Sequence, residues 1–203
     1  MNRILRYINI DNNNNNNKNT DTDDSGDYTE DSEIVFEDYE NSGAEYKFNT
    51  VWNIWYHHTK NNWKIDGFNN IYSINNIRDF WDFNNNIDYI GGINTHHYFM
   101  MRDSTLPIWE DNNNKLGGCW SIKIPTEKAY ELWIKLSIYL VGENITTEKN
   151  LVTGISICAK NPITSVVKIW NNDNKKNSIK LLPVDILNEY GFNIIYKSHI
   201  PEY

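Results

Sequence analysis

The sequence predicts an α+β fold built on a mostly antiparallel sheet. Three observations carry this. Six short segments are rich in aromatic and β-branched residues and are bounded by turn-forming residues. Two longer segments space their apolar residues three and four apart, as amphipathic helices do. The composition also shifts near residue 45, from an acidic, Asn-rich lead to a body of balanced charge.

Taken in order, residues 1–45 read as a disordered tail and 46–203 as one folded domain. Asn12–Asn17 and the acidic stretch from Asp21 to Asp31 bury too little apolar area to offset ordering entropy. Ile34-Val35-Phe36 is an exception, an apolar cluster with the composition to pack back on the domain. Phe48 to Tyr56 and Asn62 to Tyr72 read as the first two strands. Ser73 is placed as N-cap of a helix to about Phe83, with Ile74, Ile77 and Trp81 on one face. Tyr98 to Met101 and Gly118 to Ile124 follow as strands. Thr126 caps a second helix to about Val141, whose Ala129, Tyr130, Trp133, Leu136 and Leu140 keep the 3–4 spacing. Leu151 to Cys158 and Val166 to Trp170 are the last two strands. A short helix from about Pro183 to Tyr190 ends at Gly191, read as its C′ residue.

Length and charge narrow the function. The 203 residues suit one domain with a real core. Of a net charge of −8, the excess lies in residues 1–50, which hold 12 acids and 4 bases; residues 51–203 hold 15 of each. A neutral body argues against a broad phosphate-tracking surface and fits a pocket that reads one nucleotide. Cys119 and Cys158 make no disulfide framework, so free thiols and a cytosolic location are expected. No segment is apolar enough to span a membrane, and Met1 to Ile10 does not read as a signal peptide. The 34 asparagines fit an AT-rich genome, and the runs Asn12–Asn17, Asn84–Asn86 and Asn112–Asn114 read as tail or loop filler.

The string Pro107-Ile108-Trp109-Glu110-Asp111 carries the most chemistry. An indole can stack on a base, and the carboxylate beside it can accept from guanine N1–H and the N2 amino group. A guanine methylated at N7 is cationic, which adds a cation–π attraction to the stack. The other seven tryptophans fall in W-x-x-W (Trp52, Trp55), Trp63, D-F-W (Trp81), G-G-x-W (Trp120), Leu132-Trp133 and Trp170, with Val141-Gly142-Glu143 and Tyr196-Lys197-Ser198-His199 alongside. From about Phe48 to His199 this pattern resembles the eukaryotic translation initiation factor 4E family, which binds the 7-methylguanosine cap of mRNA.

The resemblance implies a curved antiparallel sheet with the cap on its concave face and about three helices on its convex face, so that 46–203 is a cap-binding domain. It implies that Trp63 and Trp109 sandwich the base, Glu110 reads the guanine edge and Trp170 touches the N7 methyl. It also implies that Trp52, Trp55, Trp120 and Trp133 are core. On the phosphate side the chain departs from the pattern. Lys160 stands at the family Arg position, Val166 at the Lys position and Cys119 at a second Arg position. Lys168 shares a strand face with Val166 and is the second phosphate candidate. With the sequence ending at Tyr203, the family's last basic loop is read as missing or short, leaving Lys197 and Lys123 as the next residues to consider.

For partners, the resemblance implies a scaffold of the initiation factor 4G kind, or a 4E-binding repressor, docking on Ile77, Trp81, Ile134, Lys135, Ile138 and Gly142. Lys135 replaces a family acid, a reversal expected to penalise a basic partner. The reading that follows is a non-enzymatic, cofactor-free, cytoplasmic cap-binding initiation factor. The alternatives are a cap-binding repressor that does not recruit the usual scaffold and, more distantly, a Trp-rich carbohydrate-binding module. The pairs His57-His58 and His96-His97 do not converge on a metal ion in a strand.

Overall fold

The computed structural model describes residues 46–57, 59, 61–93 and 96–199. The expected tail, with Ile34-Val35-Phe36, lies outside the described residues. Seven strands form one sheet: β1 Lys47–His57, β2 Phe68–Asn76, β3 His97–Arg102, β4 Gly118–Pro125, β5 Val152–Ala159, β6 Thr164–Asn171 and β7 Ile194–Ser198. Their order is β2-β1-β3-β5-β6-β4-β7, with every pairing antiparallel. Three α-helices are seen among the described residues: α1 Ile77–Asn86, α2 Ala129–Val141 and α3 Val184–Tyr190. None is long and apolar enough to cross a membrane.

Strand alternation divides the buried residues into two sets. Trp52, Ile54, Tyr98, Met100, Trp120, Ile122, Ile155, Ile157, Val167 and Ile169 face the helices. They meet Phe80 and Phe83 of α1 and Leu132, Trp133, Leu136 and Leu140 of α2. The concave face keeps a smaller cluster of Phe68, Phe99, Met101, Cys119 and Trp170. Trp52, Trp120 and Trp133 are fully buried core residues, as expected. Trp55 is not: its odd register places it on the concave face, half-buried against that smaller cluster.

Local chemistry moves several boundaries. The first helix starts at Ile77, not beside Ser73, because Ile74 is paired in β2 and buried in the core. Its cap is reciprocal: Asn76 Oδ1 accepts from Asp79 N at 2.8 Å, and Asp79 Oδ2 accepts from Asn76 Nδ2 at 3.0 Å and from Asn75 N at 2.9 Å. The strand expected from Asn62 therefore begins at Phe68, after a loop and a short 3₁₀ turn over Ile65–Gly67. Gly191 does not end α3 in a left-handed cap; its φ of −51° continues into a 3₁₀ turn. The strand β7 has no sequence counterpart above, since only five residues pair and two of their side chains are exposed.

The Gly117-Gly118 pair is explained by close approach. A Cβ on Gly117 would lie 1.8 Å from the Asn171 carbonyl oxygen, and one on Gly118 2.5 Å from that of Lys197. Asn171, fully buried, fixes the same corner. Its Oδ1 accepts from Gly118 N at 2.8 Å and from the Tyr196 hydroxyl at 2.9 Å, and its Nδ2 donates to the Asp173 and Lys176 carbonyls.

Glu143, the last residue of the Val-Gly-Glu landmark, turns back from the end of α2 with a left-handed φ of 54°. Its Oε1 accepts from Thr50 Oγ1 at 2.5 Å and from Arg102 Nη1 at 3.2 Å. Arg102 also donates to Thr50 Oγ1 and to the Val152 carbonyl, and lies 4.6 Å from the centre of the Trp52 ring. One cation thus ties α2 to β1, β3 and β5. The Thr50 hydrogen bond, with Arg102 behind it, holds the Glu143 carboxyl below its ordinary value of 4.5. A depressed carboxyl contributes stability that is full above the unfolded value and is lost as pH falls through the folded one. Arg102→Met should therefore cost about 1–3 kcal/mol at pH 7. Urea midpoints across pH 3–7 should also show a smaller acid-side loss than in the wild type.

Candidate functional site

The concave face holds an open cleft of about 610 Å³. Its floor is aromatic. Trp170 is buried, donates through Nε1 to Ser156 Oγ at 3.0 Å, and meets Phe99 edge-on at 6.0 Å. His97 stacks on Phe99 at 4.2 Å and carries a buried Nδ1 without a partner among the described residues. Burial first, then the charges of Lys160, His57 and Lys168, push His97 down to about 3. It is neutral at pH 7.

Two indoles stand at the rim. Trp63 is 54% exposed and Trp109 48%, large values for tryptophans that line a cleft. Trp63 has one face occupied: His57 stacks on it at 4.2 Å, with the planes 20° apart. His57 Nε2 is 2.8 Å from the Asn62 carbonyl oxygen, which ties that loop to β1.

The loop that carries Trp109 is pinned by Asn114, a member of a run that reads as filler in the sequence. Asn114 is fully buried. Its Nδ2 donates to the Leu106 and Ile108 carbonyls at 2.9 and 2.8 Å, and its Oδ1 accepts from Thr153 Oγ1 at 2.8 Å. Its own carbonyl is 2.8 Å from His199 Nδ1. Asp111 shapes the turn, its Oδ1 accepting from Asn113 N at 2.8 Å. The run Asn84–Asn86 hides a second such residue. Asn84 is buried, with Oδ1 accepting from Trp133 Nε1 at 3.2 Å and its backbone carbonyl from the Tyr130 hydroxyl. The absence of a side-chain signal separating a buried Asn from its exposed neighbours explains both misreadings.

Of the expected site residues, Trp63, Trp109, Trp170, Lys160 and Lys168 all line this one cleft. So do Val166 and Cys119, the two positions where a basic residue was expected and is not present. Glu110 is the exception. It is exposed beside Trp109 and does not line the cleft. Pro107, Ile108 and Trp109 line the cleft, and the turn carries the next residue, Glu110, out to solvent. Its charge still reaches the site, since it acts on His199, a lining residue; burial holds that imidazole below its ordinary value and Glu110 opposes the shift.

This geometry can be set beside known proteins. The family model described as eukaryotic initiation factor 4E matches residues 47–200. The chain belongs to the eukaryotic initiation factor 4E family. Eukaryotic translation initiation factor 4E of Candida albicans is 26% identical over 160 residues, 74% of this chain and 76% of that protein. Factor 4E-3 of Caenorhabditis elegans is 25% identical over 140 residues, 64% of this chain and 55% of that protein. The solved complex of C. elegans eIF4E-3 with the 4E-binding protein Mextli and cap analog matches with a TM-score of 0.66. It is 23% identical and covers 76% of this chain and 92% of that one.

On the convex side of this 4E-family chain, Ile77, Trp81 and Ile138 are exposed, Trp81 by 43% and Ile138 by 48%. Ile134 is half-buried against the core, and Gly142 caps α2. Lys135 differs from expectation. Its Nζ lies 3.0 Å from both Asp185 Oδ2 and Glu189 Oε2 on α3. Asp185 also accepts from the Tyr139 hydroxyl at 2.8 Å. Two carboxylates around one ammonium leave the spot net negative, so the charge reversal read from the sequence is undone by α3. The Tyr190 and Lys135 hydrogen bonds hold Glu189 below its ordinary value.

Two outcomes follow. Asn114→Ala orphans two carbonyls and a hydroxyl, and should cost about 1–3 kcal/mol in urea denaturation, whereas Asn112→Ala should be nearly neutral. Lys135→Glu should lower the urea midpoint more than Lys135→Met. Both lose two exposed pairs at about 0.2–1 kcal/mol each, and only the Glu variant adds repulsion.

Proposed function

We propose that this chain binds the 7-methylguanosine cap of mRNA and promotes translation initiation by bringing a scaffold factor to the mRNA 5′ end. One observation carries the reading: two half-exposed indoles, Trp63 and Trp109, line a cleft floored by a third, Trp170. A flat cationic base fits between such rings, with stacking contributing about 1–3 kcal/mol per base and a desolvated cation–π contact about 2 kcal/mol. The free face of Trp63 is the one available to the base, because His57 covers the other.

Glu110 is assigned to guanine N1–H and N2, a role that requires its side chain to swing into the cleft when ligand enters. Trp170 is assigned to the N7 methyl, its Nε1 turned away to Ser156. Lys160 and Lys168 are assigned to the phosphates. The domain 46–203 holds this site, and 1–45 is a tail outside it. The work is binding without catalysis, in the cytoplasm where translation runs. On the convex face, Ile77, Trp81, Ile134 and Ile138 would receive an apolar helix of a 4G-like scaffold or of a 4E-binding repressor. The net negative Lys135–Asp185–Glu189 group would accept its basic residues. That balance removes the main support for a repressor unable to recruit the scaffold.

Tryptophan fluorescence titration with 7-methyl-GTP and with GTP tests the reading. The methylated ligand should bind more tightly. Trp63→Ala and Trp109→Ala should each lose about 1–3 kcal/mol while the circular dichroism spectrum stays native. Glu110→Gln should weaken binding, because an amide offers one acceptor and no charge. Equal affinity for the two nucleotides in the wild type would sink the proposal.

A further inference from the structure

We infer that Lys197 on β7 is a third phosphate-binding residue, and that the polyphosphate runs from Trp170 across Cys119 toward β7. The inference rests on the cap reading and adds the path of the phosphate chain to it.

The β-register fixes the path. Cys119 of β4 is paired with Trp170 of β6 on one side and with Lys197 of β7 on the other. Residues paired across neighbouring strands point to the same face, so Trp170, Cys119 and Lys197 form one row on the concave face. Neighbouring strands are about 4.8 Å apart, which puts the Lys197 backbone roughly 10 Å from that of Trp170. Lys168 stands two residues from Trp170 along β6, on the same face. A base over Trp170 would therefore have Lys168 along the strand and Lys197 across it, with the small neutral Cys119 between.

The cleft admits this. Lys160, Lys168, Lys197 and Cys119 all line it. None of the three lysines has an ion pair among the described residues, whereas Lys128, Lys135 and Lys176 are each committed to acids elsewhere. Three unneutralised cations facing one volume repel one another, and a polyanion relieves that repulsion. The backbone of Lys197 is firmly placed. The next strand packs against it so closely that Gly118 has no room for a Cβ, and His199 N donates to the Gly117 carbonyl at 2.9 Å just beyond. Lys123 shares the face and strand of Cys119 but does not line the cleft, which makes it the internal control.

The test is titration of the whole chain with 7-methyl-GMP and 7-methyl-GTP at several salt concentrations. Lys197→Gln should reduce the affinity gain from mono- to triphosphate about tenfold, the order expected for one hydrogen bond to a charged group. Its salt slope for the triphosphate should be shallower by about 0.7. Lys197→Arg should keep the gain, and Lys123→Gln should leave gain and slope alone. An unchanged gain and slope in Lys197→Gln, with normal 7-methyl-GMP binding, overturns the inference and leaves the cap reading standing. No binding of either nucleotide by the wild type overturns both.

Discussion

The two-residue alternation of the strands gives the sheet two unlike faces, and both the core and the cleft are built on it. Each strand has to serve a dry face under the helices and a ligand-facing cleft, and neighbouring residues divide the task. Ile169 is core while Trp170 and Lys168 face the cleft. Trp120 is core while Cys119 lines the floor. A one-residue slip in β6 would put Lys168 under α2 and Ile169 in the cleft, at the cost of a buried, unpaired ammonium. The apolar core on the convex side therefore fixes the register, and the register fixes where each ligand-facing group stands. Stability and site geometry are two readings of the same pairing.

The sheet supplies only part of the cleft, since Trp63 and Trp109 come from loops. Loops run at the surface and lack ladder hydrogen bonds, so something else must hold them. Here polar side chains replace the ladder. The His57 ring ties the Trp63 loop through Asn62, and the Asn114 amide ties the Trp109 loop through two carbonyls and Thr153. Asn suits the second task because its amide donates twice and accepts, matching a strand-like partner on one side and a hydroxyl on the other. Both rim indoles stay half-exposed because these anchors lie below them.

Much of this was legible in the sequence, and the pattern of misses is physical. Strands rich in β-branched and aromatic residues, and α2 with its 3–4 spacing, fall within a few residues of their expected bounds, except β2, which starts at Phe68 and not at Asn62. The cleft membership of Trp63, Trp109, Trp170 and Lys160 follows from the resemblance, and that of Lys168 from strand alternation beside it. What was missed depends on contacts distant in the chain. Asn84 and Asn114 look like their exposed neighbours until Trp133 and Thr153 are brought to them. Lys135 reads as a reversed charge until α3, 50 residues later, delivers Asp185 and Glu189. The strand β7 is too short and too exposed to announce itself, so the row that places Lys197 beside Cys119 is not legible in the sequence. Helix α1 was misplaced by three residues because Ser73 and Asn76 are both good caps, and only the pairing of Ile74 in β2 decides between them.

The cleft also has to reconcile two opposite charges in one ligand. A 7-methylguanine ring is cationic and its phosphates are anionic. The structure separates the groups that would meet each. Around the base there are faces without charge: Trp63, Trp109, Trp170 and Phe99. His97 belongs with them because it is kept neutral, at about 3, by burial and by Lys160. An imidazolium there would repel the ring. The same lysines that would hold the phosphates thus help to keep the floor beneath the base uncharged. Glu110, beside the rim indole Trp109, stands outside the cleft. From there it carries no burial cost before a ligand arrives, although its charge opposes that of Lys168 at His199. In the proposed role its carboxylate would be desolvated only when guanine supplies the two donors that compensate for it, so the acid would act as a reader of the base and not as a permanent part of the wall.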